Sequence, residues 1–356
     1  MPKLTALRWE AGNEEHSKLV NELAAVASAC EPVRYAEDIR ERRILDDGAA
    51  VRRRATLIGG LAVVMWATLA ALTVSLKSVP PFQLLAMTFG IAFVVGSLWL
   101  LFSGGAKRFR LFVQPLPFWL GAIAGLFVYH ALYFVALRLA PAAEANLINY
   151  LWPLLIVLLS GLVPGGDRLR TGQLCGALMG LAATALLIGG AGELGASTVN
   201  PWGYIAAVGC AFVWSSYSVL NRRFSDVPSE AMIGVCGVVA LLGATTHLLF
   251  EPTTVQLAGR EWLAVLALGC GPIGLAFLVW DYGTKHGDLP VLGALAYGAP
   301  VLSTLLLVAL GLAHPTIGLL MAVALVVGGA WTATRKPRFK QGQRSRQTAP
   351  THGSGA

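Results

Sequence analysis

From residue 56 onward the chain alternates between long apolar runs and short polar or turn-forming breaks. About 20 apolar residues in a helix span the roughly 30 Å hydrocarbon core of a bilayer. Runs of this kind occupy 56–76, 81–102, 117–138, 141–163, 171–190, 201–221, 229–250, 260–284, 289–312 and 314–332. Between them lie Val79-Pro80-Pro81, Gly104-Gly105, Pro164-Gly165-Gly166 and His314-Pro315. The pattern predicts an all-α membrane protein with ten transmembrane helices.

Composition agrees, because only 13% of the 356 residues are charged against about 25% in soluble domains. Ten of the nineteen acids fall within residues 1–50, which leaves the rest of the chain more apolar still. The net charge of +8 does not imply nucleic acid, since the basic residues stand singly or in short groups between apolar runs. They instead set orientation, because lysine and arginine concentrate in cytoplasmic loops. With residue 54 in the cytoplasm, inside segments hold Arg52, Arg53, Arg54, Lys107, Arg108, Arg110, Arg168, Arg170, Arg222, Arg223, Lys285 and six basic residues from Arg335 to Arg346, and outside loops hold only Lys77, Arg138 and Arg260. Both termini are expected in the cytoplasm. Residues 1–54 read as a polar extension, disordered or carrying one amphipathic helix over 14–30, and residues 333–356 as a basic disordered tail. The five cysteines, Cys30, Cys175, Cys210, Cys236 and Cys270, show no paired spacing and read as packing residues.

The chain also repeats itself. Tyr150-Leu-Trp-Pro153 returns as Tyr297-Gly-Ala-Pro300, a shift of 147, and the same shift carries Tyr133 onto Trp280 and Arg138 onto Lys285. A shift of 148 carries Met65-Trp66-Ala67-Thr68 onto Val213-Trp214-Ser215-Ser216. Two five-helix halves, 55–190 and 201–332, follow. Five is odd, so the second half enters the bilayer from the other side, which is the inverted repeat of secondary transporters with substrate held near the midplane.

Two such halves, each with an aromatic residue three before a proline in its fourth helix, resemble the EamA family of the drug/metabolite transporter superfamily. The similarity is carried by AEANLINYLWPLL (143–155), WDYGTKHGDLP (280–290) and LAYGAPVLSTLLL (295–307), and it covers roughly residues 56–332. The resemblance implies a bacterial inner-membrane exporter of amino acids, aromatic ones preferred. Position 299 is alanine, where many members carry a bulky or acidic residue, so no carboxylate couples transport there.

Side chains near the centres of the predicted helices are those a substrate would meet. They are Trp66, Tyr129, His130, Tyr133, Asn149, Trp152, Trp214 and Tyr297, with Pro153 and Pro300 as matched hinges. Tryptophan ordinarily prefers the interface, so central copies at 66 and 214 suit a cavity. Asn149 shares a face with Trp152 and must point away from lipid, toward a cavity or a neighbouring helix. His130 is the ionisable residue nearest a midplane; it either addresses substrate or a proton, or packs as a neutral ring. Arg138, Asp281, Lys285 and Asp288 lie near helix ends, where they are expected to snorkel, and Glu144 sits in the first turn of its helix. Trp280 and Tyr282 serve equally as belt anchors or substrate contacts, and Trp99, Trp119, Trp202, Trp262 and Trp331 read as belt residues.

Without a fixed central charge, a neutral or zwitterionic cargo fits better than a phosphate or an organic cation. A broader exporter of small neutral or zwitterionic drugs and metabolites is the alternative. No HExxH or GxSxG occurs, so an intramembrane enzyme is not expected. No cofactor or metal is implied, and the expected partners are a small-molecule substrate and the lipid bilayer.

Overall fold

The structure, a computed structural model, describes residues 47–73, 76, 78–162, 169–190, 200–254, 256–311 and 314–335. The amphipathic candidate at 14–30 and the tail after Arg335 lie outside the described residues. Among the described residues every regular element is helical.

In chain order the long helices are α1 (Asp47–Thr73), α2 (Pro81–Gly104), α3 (Leu116–Leu139), α4 in two pieces (Ala142–Asn149 and Trp152–Ser160), α5 (Thr171–Gly190), α6 (Pro201–Phe224), α7 (Ala231–Phe250), α8 (Gly259–His286), α9 (Leu289–Ala309) and α10 (Ile317–Thr334). Among the described residues eight of these are long and apolar enough to cross a bilayer, and α4 and α5 are shorter apolar helices. Proline opens α2, α6 and α9 at a position where its missing N–H costs nothing. Asn200, Asp288 and Thr316 cap α6, α9 and α10 with side-chain oxygens.

The packing follows the 147-residue shift. The second helix of one half packs on its counterpart, α2 on α7, and the same holds for α4 on α9 and α5 on α10. At the α5–α10 crossing a Cβ built on Gly176 would lie 2.5 Å from the Gly329 carbonyl. Only glycine there lets the backbones meet.

Among the described residues four helices are irregular in matched pairs, and α1 is interrupted separately at Thr68. α3 opens into a π-helical turn over Ala124–Val128 and α8 into one over Gly269–Leu275, which contains Pro272. α4 breaks at Tyr150-Leu151 and α9 at Tyr297, each just before a proline that cannot supply the next backbone bond. The expected hinge prolines Pro153 and Pro300 thus lie just past the breaks. Pro153 and Pro300 flag the breaks in α4 and α9 in the sequence, whereas apolar periodicity alone does not register the widened turns in α3 and α8.

Candidate functional site

The π-helical turn of α3 ends where Tyr129 and His130 begin, and that of α8 ends just before Phe277. One widened turn therefore aims Tyr129, His130 and Tyr133, and the other Phe277 and Trp280, toward the middle of the bundle. Trp66 comes from α1, Trp152 from the second piece of α4 and Trp214 from α6. Trp66, Trp152, Trp214 and Trp280 touch in every pairwise combination, with ring centroids 5.1–6.2 Å apart. Phe277 stacks on Phe89 at 5.6 Å and lies beside Trp66 and Trp214.

The polar handles of this box are unevenly satisfied. Trp66 donates its indole N–H to the Pro272 carbonyl at 3.0 Å, and Trp280 donates to Ser218 Oγ at 3.2 Å. The N–H groups of Trp152 and Trp214 have no protein partner among the described residues, although both rings are buried. Tryptophan usually bonds its N–H when buried, so two open donors in one box are available to a ligand.

A second group sits against the box. Tyr129 stacks on Tyr133 at 6.2 Å and reaches Trp214 at 5.4 Å, and all three side chains of Tyr129, His130 and Tyr133 remain half-buried. His130 Nδ1 lies 2.6 Å from the Leu126 carbonyl. A carbonyl can only accept, so Nδ1 carries the proton, and in the uncharged ring Nε2 is an acceptor. Phe89 packs edge-on against the ring at 5.5 Å. Asn149 is buried, donates to Tyr129 Oη at 3.3 Å and accepts from Cys210 Sγ at 3.1 Å. Tyr133 donates to Asn146 Oδ1.

Seven of the eight candidate residues thus fall in one neighbourhood: Trp66, Tyr129, His130, Tyr133, Asn149, Trp152 and Trp214. Tyr297 does not join them. Its ring is fully buried in a separate cluster with Val157 and Ala177, pressed on Gly180. Phe89, Phe277 and Trp280 complete the neighbourhood. The shift of 147 pairs His130 with Phe277 and Tyr133 with Trp280, which is the signal that locates the last two.

The helix-end charges depart from expectation. Asp281 and Lys285 do not snorkel: they pair at 2.8 Å with both side chains 0% exposed. Burial follows from the partners at hand, since Lys285 also donates to the Val227 carbonyl and Asp281 accepts from Asn221. Asp288 is half-buried beside Arg170 and caps α9. Arg138 does stay exposed while reaching Glu251. Of the expected belt tryptophans, Trp99, Trp202, Trp262 and Trp331 are exposed, but Trp119 is half-buried and packs on Gly234 in α7.

Comparison with known proteins agrees with this architecture. The profile of the EamA-like transporter family matches residues 54–189 and again 201–335. The chain is 53% identical over 286 residues to the aromatic amino acid exporter YddG of Ancylobacter novellus, covering 80% of this chain and 98% of the relative. It is 27% identical over 303 residues to the exporter of the same name in Escherichia coli, covering 80% and 99%. A solved crystal structure of a protein 53% identical to this one matches with a TM-score of 0.75, covering 79% of this chain and 96% of that one. With two matched copies spanning most of its length, the chain belongs to the EamA-like transporter family.

Proposed function

We propose that this chain is a multi-pass inner-membrane transporter that exports neutral amino acids, aromatic ones among them, by alternating access. The observation that carries the reading is the tryptophan box. Trp66, Trp152, Trp214 and Trp280 come from α1, α4, α6 and α8, two helices from each half, so substrate held there lies between the halves. Aromatic walls suit an aromatic or aliphatic side chain. The two open indole donors suit a carboxylate, and His130 Nε2, Tyr129 and Tyr133 suit an ammonium group. The exporters named above for aromatic amino acids support the same cargo.

In this reading α4 and α5 span the membrane along with the other eight helices, the halves 55–190 and 201–332 are inverted repeats, and both termini are cytoplasmic. The matched π-helical turns in α3 and α8 and the matched breaks in α4 and α9 support that arrangement. The breaks before Pro153 and Pro300 supply the hinges. The segments 1–54 and 333–356 flank the transport unit, apart from the residues by which α1 begins at Asp47 and α10 runs to Thr334. A broader exporter of small neutral or zwitterionic compounds is the second reading, since the box carries no fixed charge to select one cargo.

The test is uptake of labelled phenylalanine by the reconstituted protein, competed with a panel of unlabelled amino acids, with and without a pH gradient. Competition by tryptophan, tyrosine and leucine but not by lysine or glutamate is expected. Equal competition by charged amino acids would overturn the assignment of a neutral cargo.

A further inference from the structure

The ends of α6 and α8 that carry Arg222 and Lys285 are joined by a run of hydrogen bonds that substrate binding does not explain. Trp280 donates to Ser218, Asn221 Nδ2 donates to Asp281 Oδ1 at 2.8 Å and to Thr284 Oγ1 at 3.0 Å, Lys285 Nζ donates to the Val227 carbonyl at 3.0 Å, and Arg222 donates to the Gly287 carbonyl at 2.8 Å. The Asp281–Lys285 pair lies within one helix, four residues apart, so by itself it ties nothing together. Its outer partners on α6 and on the α6–α7 connection do. Phe118 at the start of α3 covers Lys285, its ring centroid 5.3 Å from the ammonium, and α1 closes against α8 where Gly59 meets Gly283. Four helices therefore seal this end over a desolvated charge pair.

Two features set this end apart. The first half carries no equivalent: the 147-residue shift places Phe134 where Asp281 stands and Leu137 where Thr284 stands. Arg138, the counterpart of Lys285, is 59% exposed. The seal is also incompletely satisfied, because Asn221 Oδ1 is buried with no hydrogen-bond partner among the described residues. Opening this end would let water reach that oxygen and both charges, which offsets part of the cost of separating α6 from α8.

We propose that Asp281, Lys285 and Asn221 form a latch that closes the cytoplasmic end of the substrate path and must break each time that end opens. The direction of the path rests on the transporter reading above; the latch itself rests on the bonds between α6 and α8.

The test uses the full-length protein, Lys285→Met and the double variant Asp281→Asn/Lys285→Met, the second keeping the site neutral should the single variant fail to fold. Amide deuterium uptake is followed over residues 217–224 and 280–287, with 90–100 in α2 as control. Exchange at least tenfold faster at the two ends is expected, with the control within twofold of the parent and labelled phenylalanine binding within threefold. Transport is expected to fall at least tenfold, because the end no longer recloses. Unchanged protection at both ends in a folded double variant overturns the latch, whatever transport does. So does loss of protection in the control segment as well, which would make the pair a general scaffold. Failure of the parent to bind phenylalanine would overturn the proposed cargo instead, while the deuterium comparison still reads the latch.

Discussion

Gly283→Ala perturbs a crossing where α1 and α8 meet backbone to backbone. A Cβ at position 283 would lie 2.5 Å from Gly59 Cα, 3.1 Å from Gly59 N and 3.3 Å from the Ala55 carbonyl. Carbon atoms pack best at about 3.5–4.0 Å, so the two helices must separate by roughly 1 Å at this crossing. Neither neighbour is a flexible side chain that could move aside, and overpacking of this kind costs about 1–3 kcal/mol. The better helix propensity of alanine returns about 1 kcal/mol, which leaves a net loss of about 0–2 kcal/mol against the parent by these two terms. The displacement also separates Trp66 from Trp280, whose rings are the closest pair in the box at 5.1 Å. Gly60→Ala is the matched control, because nothing lies within 4 Å of a Cβ there. Thermal unfolding of the two purified variants in the same detergent, together with phenylalanine binding, reads both effects. Gly283→Ala is expected to melt below Gly60→Ala and to bind more weakly than the parent, and Gly60→Ala to melt at or slightly above the parent. Equal melting temperatures for the two variants would refute the reasoning.

Other consequences follow from single side chains. Glu251 has a carboxylate 1% exposed that accepts from the amides of Phe82 and Gln83 and pairs with His247 at 3.0 Å; Glu251→Ala is expected to destabilise by about 2–4 kcal/mol in thermal unfolding. Arg138→Ala, which removes the 59% exposed partner of that carboxylate, should change the same melt by no more than about 0.5 kcal/mol. Tyr129→Phe takes the hydroxyl from Asn149 Nδ2 and should cost about 1–3 kcal/mol while weakening substrate binding. Asp288→Ala removes the cap on the Val291 amide and should cost about 1 kcal/mol, with earlier deuterium exchange in the first turn of α9.

Much of the fold was legible because lipid imposes length and apolarity on each helix, and the runs at 81–102 and 229–250 became α2 and α7 with little change. The candidate neighbourhood was legible for a related reason: an aromatic or polar residue at mid-depth is expected to face inward, and packing does bring Trp66, Trp152, Trp214, Asn149 and His130 into one neighbourhood. Tyr297 escaped that logic. It sits at the break in α9, and the direction of its side chain depends on a local turn and on the space left by Gly180, which spacing along the chain does not encode. Asp281 and Lys285 were misread because depth alone sends a charge toward water. Their burial depends on Asn221, Val227 and Phe118, which lie far away in sequence and are brought near only by packing.

The central claim is that cargo sits in the tryptophan box beside His130. Transport of labelled phenylalanine by reconstituted Trp152→Ala and His130→Ala, each verified as folded, tests it most directly. A fall of at least tenfold in both is the predicted result, and rates unchanged from the parent in both would contradict the account.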